Sequence, residues 1–92
     1  MARYRAYVCK AGYGLTQGKR LLLNIYNCDI GITFRDHNWV ANSKRLQKIP
    51  DNTWITFTAK EEEYQSVSGI QKTLKHIRNI TILKEKLSPF DI

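Results

Sequence analysis

The sequence is poor in cysteine, in acidic residues and in long apolar runs. Cys9 and Cys28 are its two cysteines, too few for a disulfide framework. Nothing near the start reads as an export signal: Arg3 and Arg5 come early, but Lys10 breaks the apolar run that should follow. The expected compartment is therefore the reducing cytoplasm, with both thiols free. The longest purely aliphatic run is Leu21-Leu22-Leu23, so no segment has the length to span a membrane. Proline occurs twice and there is no low-complexity tract or internal repeat. A hydrophobic content of 42% with 11% aromatics excludes disorder and fits one small domain over residues 1–92, with its core at about 3–84 and a short polar tail at 85–92.

Acidic residues number 8 against 15 Lys and Arg, which leaves a net charge of +7. All of that excess sits in residues 1–48, whereas 49–92 are balanced. So uneven a distribution suits a polyanionic partner, because each phosphate contact releases condensed counterions. Plain solubility is the competing explanation.

Strand patterns dominate. In RYRAYVCKA, Tyr4, Ala6 and Val8 fall on one face and Arg3, Arg5, Tyr7 and Cys9 on the other. GYGLTQGK carries three glycines and reads as a flexible hairpin loop. LLLNIYN (21–27) is a second strand, CDIG a turn, and ITFRDHNWV (32–40) a third strand. ANSKRLQK changes character: Asn42 or Ser43 caps a short helical turn with Leu46 facing the core. IPDN is a turn, and WITFTAKE is the clearest strand, with Ile55, Phe57 and Ala59 opposite Trp54, Thr56 and Thr58. SVSGIQK reads as a loop before a fifth strand at 74–83. Three strands, a helical link and two strands predict an all-β, five-stranded Greek-key barrel of the OB-fold type, with an SH3-like barrel as its nearest competitor.

The stretch FRDHNWV sets three chemically capable side chains within four positions. On a regular strand Thr33, Arg35, His37 and Trp39 share one face, while Ile32, Phe34, Asp36, Asn38 and Val40 share the other. Asp36 and His37 then point apart, which works against an acid–base dyad. With no Ser or Cys in a nucleophile context, no catalytic residue is assigned and no enzyme is expected. Arg35, His37 and Trp39, joined by Tyr26, instead form a platform on which unstacked bases can lie. The competing reading buries Trp39 in the core. Tyr13, Lys19 and Arg20 on the first loop, and Lys44, Arg45 and Lys48 on the link, are candidate phosphate contacts. Glu61–Glu63 are expected away from the nucleic acid.

Other chemistries fail on spacing. Cys9, Cys28, His37 and His76 contain no close ligand pair for zinc, so neither metal nor cofactor is expected. Gly18-Lys19 ends a glycine-rich loop, but Gly12 lies one residue too far upstream for a P-loop and Arg20 replaces its Ser or Thr.

RLLLNI, DHNWV, ITFTAKEEEY and IRNITIL, in this order, resemble a group of small OB-like proteins of bacteriophages and mobile elements. The shared pattern runs LL-x-x-[IV], then DH-x-W-[VF], then L-x-x-x-[DN]-x-I-x-F-x-A-x-[VE]-x-x-Y, and covers roughly residues 20–83. The group includes the middle protein of the staphylococcal chromosome cassette replication operon, partner of an A-family primase-polymerase. The resemblance implies single-stranded DNA binding in mobile-element replication, with a DNA polymerase as partner. Where the group usually has Gly-Asp, this chain has Pro50-Asp51-Asn52-Thr53. The alternative function is a protein-binding adaptor or anti-defence inhibitor with little DNA affinity of its own.

Overall fold

The computed structural model describes residues 1–84. The polar tail expected at 85–92 lies outside the described residues. Five strands run β1 (Ala2–Ala11), β2 (Lys19–Asn27), β3 (Ile32–Ala41), β4 (Thr53–Ser66) and β5 (Gly69–Ile82). A single-turn helix, α1 (Lys44–Gln47), links β3 to β4. All five strands belong to one antiparallel sheet in the order β3-β2-β1-β4-β5. This is the OB-fold-like order the sequence predicts, with β1 between the two hairpins.

The sheet curls until its edges meet. Arg35 on β3 donates to the carbonyl of Lys72 on β5 at 3.0 Å, and Asn38 Nδ2 to Thr73 Oγ1 at 3.2 Å. Side chains rather than a ladder close this seam, so the barrel is partly open. Inside it lie Tyr4, Ala6 and Val8 from β1, Leu22 and Ile25 from β2, Val40 from β3, Ile55, Phe57 and Ala59 from β4, and Leu74 from β5. The β1 and β4 faces are thus the ones read from alternation. Tyr4 stacks on Phe57 (centroids 5.7 Å apart) and meets Phe34 edge-on at 5.8 Å. Ser43, not Asn42, caps α1 by accepting from Leu46 N–H, and Leu46 and Ile49 close one end of the barrel.

At the other end the Tyr4 hydroxyl donates to Glu61 Oε2 at 2.6 Å. Burial, and then this contact with a carboxylate, push the Tyr4 phenol well above the usual tyrosine range. The folded pKa is raised, so the stabilisation is fully present below the unfolded phenol's pKa of about 10 and is lost as pH rises through the folded value. Tyr4→Phe should cost about 1 kcal/mol at neutral pH and flatten the decline in stability above about pH 10. Urea denaturation across an alkaline pH series reads both effects; an unchanged decline in the variant would refute the assignment.

The first loop is built around a tight turn, not a loose one. Gly14–Thr16 form a single 3₁₀ turn; Tyr13 N–H donates to Thr16 Oγ1, the Thr16 hydroxyl donates to the Tyr13 carbonyl, and Gly12 N–H donates to the Lys19 carbonyl. A β-carbon on Gly12 would lie 2.1 Å from the Thr16 carbonyl oxygen, so only glycine fits there. Gly12→Ala should therefore destabilise the fold by about 1–3 kcal/mol, measurable as a lower urea midpoint at constant slope.

The second expected loop is mostly strand. β4 and β5 each span 14 residues, and only Val67 and Ser68 separate them. Gly69, at φ 111°, permits so short a connection, and the Ser66 hydroxyl accepts from Ser68 N–H and donates to the Gly69 carbonyl. Since β1 pairs with β4 only from Thr53 to Ala59, residues 60–66 pair with β5 alone and form an arm.

Candidate nucleic-acid interface

The third strand does not keep one alternation along its length. Leu22 and its partner Asn38 face the core, so Leu23 and His37 face out. One step on, Asn24 takes a left-handed conformation (φ 49°), and Asn24 and Asp36 are both exposed. Ile25, wholly buried, and its partner Arg35 then face inward again. The ladder shifts between Ile25 and Tyr26, which pairs with Thr33 and leaves Phe34 as an extra residue. Bulges of this kind re-aim side chains, and here the consequence is chemical.

Arg35 leaves the platform. It is half-buried in the β3–β5 seam, held by the Lys72 carbonyl and by Asn38 Oδ1 at 3.3 Å. The expectation that Arg35, His37 and Trp39 share one face is therefore corrected. His37 and Trp39 remain together on the outer side, opposite Leu23 and Leu21 of β2. Trp39 is half-buried, between the two alternatives read from sequence. The same break swings Asp36 outward, so its carboxylate lies 3.7 Å from His37 Nδ1 rather than on the opposite face. That separation exceeds a hydrogen bond, and both side chains are largely in solvent.

Arg20 is the second correction. It was expected to hold phosphate, yet it is 3% exposed. Its guanidinium donates to the carbonyls of Leu46 (2.8 Å) and Ile49 (2.9 Å) and pairs with Asp51 at 2.6 Å. It anchors the helical link and the Pro50-Asp51-Asn52 turn to β2. This also accounts for the departure from the Gly-Asp turn: Asn52 supplies the left-handed residue (φ 63°), and Asp51 supplies the counter-charge.

A groove of about 550 Å³ runs between β3, the first loop and the β4–β5 arm. His37, Asn38 and Trp39 lie along β3; Leu15, Thr16 and Lys19 come from the loop side; Glu62, Glu63, Tyr64, Thr73 and Lys75 come from the arm. Of the expected residues, the groove brings together Lys19, His37 and Trp39, with Arg35 at its seam edge. Tyr13 stands on the first loop, 79% exposed, but does not line it. Lys44 and Arg45 are exposed on α1, which begins three residues beyond groove-lining Ala41, and Lys48 is exposed at its C-cap.

Tyr26 lies in a neighbouring shallow cleft on the outer face, with Arg5, Asn24, Thr33, Asp36 and Trp54. Arg5 covers the Trp54 ring at 4.5 Å from its centroid, and Tyr7 meets that ring edge-on at 5.2 Å. Arg5, Trp54, Tyr64 and Lys75 were not assigned from sequence. The alternation of β1 and β4 already put Arg5 and Trp54 outside; what was missing was that β1 sits next to both β2 and β4. Tyr64 and Lys75 could not be placed while residues 66–72 read as loop.

Comparison of the chain with protein-family models, with curated proteins and with solved structures finds no match.

Proposed function

We propose that the protein is a non-enzymatic, single-stranded DNA-binding accessory of phage or mobile-element replication, acting beside a DNA polymerase or primase. The groove carries this reading. Two aromatic rings, Trp39 on β3 and Tyr64 on the arm, line one channel, with His37 beside the first and Lys19 and Lys75 within it. Stacking on such rings is worth about 1–3 kcal/mol per base and does not depend on sequence. OB-type barrels present oligonucleotides with this region, between the first loop and the β4–β5 loop. The +7 charge supports a polyanion, and the resemblance to phage and mobile-element proteins supports the replication setting. Lys44, Arg45 and Lys48 extend the positive surface past the end of β3, and Tyr26 with Arg5 continues it across the outer face.

Fluorescence anisotropy of labelled oligo-dT over a salt series tests the reading. With four or five phosphates contacted, the log–log salt slope should be about −3, at roughly 0.7 per phosphate on a single strand. Affinity independent of salt would overturn it.

One observation favours the adaptor. Ile30, Ile32 and Ile70 are 57–69% exposed, and the first two line a second cleft of about 590 Å³ at the barrel mouth. Charge reversal at Lys44, Arg45 and Lys48 separates the readings. It should weaken oligonucleotide binding at least tenfold if these residues hold phosphates, and leave a purely protein-binding surface intact.

A further inference from the structure

Against the expectation that Glu61–Glu63 lie away from the nucleic acid, the arm brings carboxylates to the groove that holds Lys19, Lys75, Trp39 and Tyr64. Glu61 is engaged, by the Tyr4 hydroxyl and by Lys72 at 3.7 Å. The carboxylates of Glu62 and Glu63 have no hydrogen-bond or ion-pair partner among the described residues, and Glu62 is half-buried. Glu62 pairs across the arm with Thr73, whose hydroxyl accepts from Asn38 on β3. The Glu62 side of the arm therefore faces the strand that carries Trp39. Carboxylates repel phosphates, so a bound strand must turn its backbone toward Lys19 and α1 and its bases toward the arm.

An ionised carboxylate only accepts hydrogen bonds. Cytosine offers it the N4 amino group, as the carboxylate–cytosine pairing in DNA recognition illustrates. Thymine and uracil offer one N3–H flanked by two carbonyl oxygens, which repel it.

We propose that Glu62 reads base edges in this groove and makes the protein prefer amino-bearing bases, cytosine among them, over thymine or uracil. The inference rests on the single-stranded DNA reading above and assigns its specificity. Trp39 and Tyr64 stack the base, Lys19 holds the backbone, and the Glu62 carboxylate selects.

The test uses the full chain at pH 7.5 with labelled oligo-dC, oligo-dU and oligo-dT of about 12 nucleotides, within the range one OB-type barrel covers. Oligo-dC should bind about tenfold more tightly than oligo-dU or oligo-dT. The Glu62→Gln variant, checked for an unchanged melting temperature, should bind all three alike, because an amide donates as well as accepts. Equal wild-type binding of the three would overturn the inference and leave the DNA reading standing. Parallel tightening of all three in the Glu62→Gln variant would also overturn it, making the carboxylate a mere phosphate repellent. Binding of none of them, or of an oligo-lysine peptide instead, would overturn both.

Discussion

Replacing Arg20 by methionine should lower the stability of the folded chain by about 3 kcal/mol, on the order of 15 °C in melting temperature for a domain of this size. The side chain is almost wholly buried, and its donors satisfy the Leu46 and Ile49 carbonyls, which secure the only helical link between the two halves of the described sheet. Methionine fills much of the volume but leaves both carbonyls without that donor, the costly case for a buried polar group. The Asp51 partner contributes less, because its side chain is 60% exposed and solvent screens the pair. Asp51→Asn should therefore cost no more than about 1 kcal/mol. Lys19→Met next door changes an exposed side chain and should leave stability within about 0.5 kcal/mol while weakening DNA binding. Calorimetric melting of the three variants separates these outcomes. A stable Arg20→Met protein would mean that the guanidinium does not hold the link.

Trp39→Ala should weaken oligo-dT binding about five- to 150-fold, from the loss of one stacked base at about 1–3 kcal/mol. Because Trp39 is half-buried and sits opposite Leu21 in the ladder, part of its ring is expected to support the sheet, and a modest loss of stability is expected beside the binding defect. Trp39→Phe keeps a stacking face and should recover much of the affinity, which a purely structural role would not produce. Tyr64→Ala, on the opposite side of the groove, should show a smaller defect. Arg35→Ala belongs to the seam and should lower stability more than it lowers affinity.

Much of the barrel was legible because period-two alternation is a strong signal where one face is buried. Tyr4, Ala6, Val8, Ile55, Phe57 and Ala59 all take the side their spacing implied. Two of the failures share one cause: local backbone conformation that hydropathy does not encode. Asn24 at φ 49° breaks the alternation and separates Arg35 from His37 and Trp39. The two-residue connection at Val67-Ser68 looked like loop because serine and glycine cluster there, although Gly69 instead lets both strands run to full length. Arg20 was misread for a different reason. A basic residue next to a glycine loop resembles a phosphate contact, and only the fold brings the Leu46 and Ile49 carbonyls to its side chain. The same blindness to tertiary pairing hid Glu62 and Tyr64, whose groove exists only once the arm lies across β3.

The most direct test of the proposed interface is an amide and indole ¹H–¹⁵N chemical-shift titration of the full chain with unlabelled oligo-dC. The account predicts that the Trp39 indole N–H, the amides of 37–41, those of 15–19, and those of 62–64 and 73–75 shift together and saturate together. Shifts confined to Ile30, Ile32 and Ile70 at the barrel mouth, or none at all in a folded sample, would contradict it.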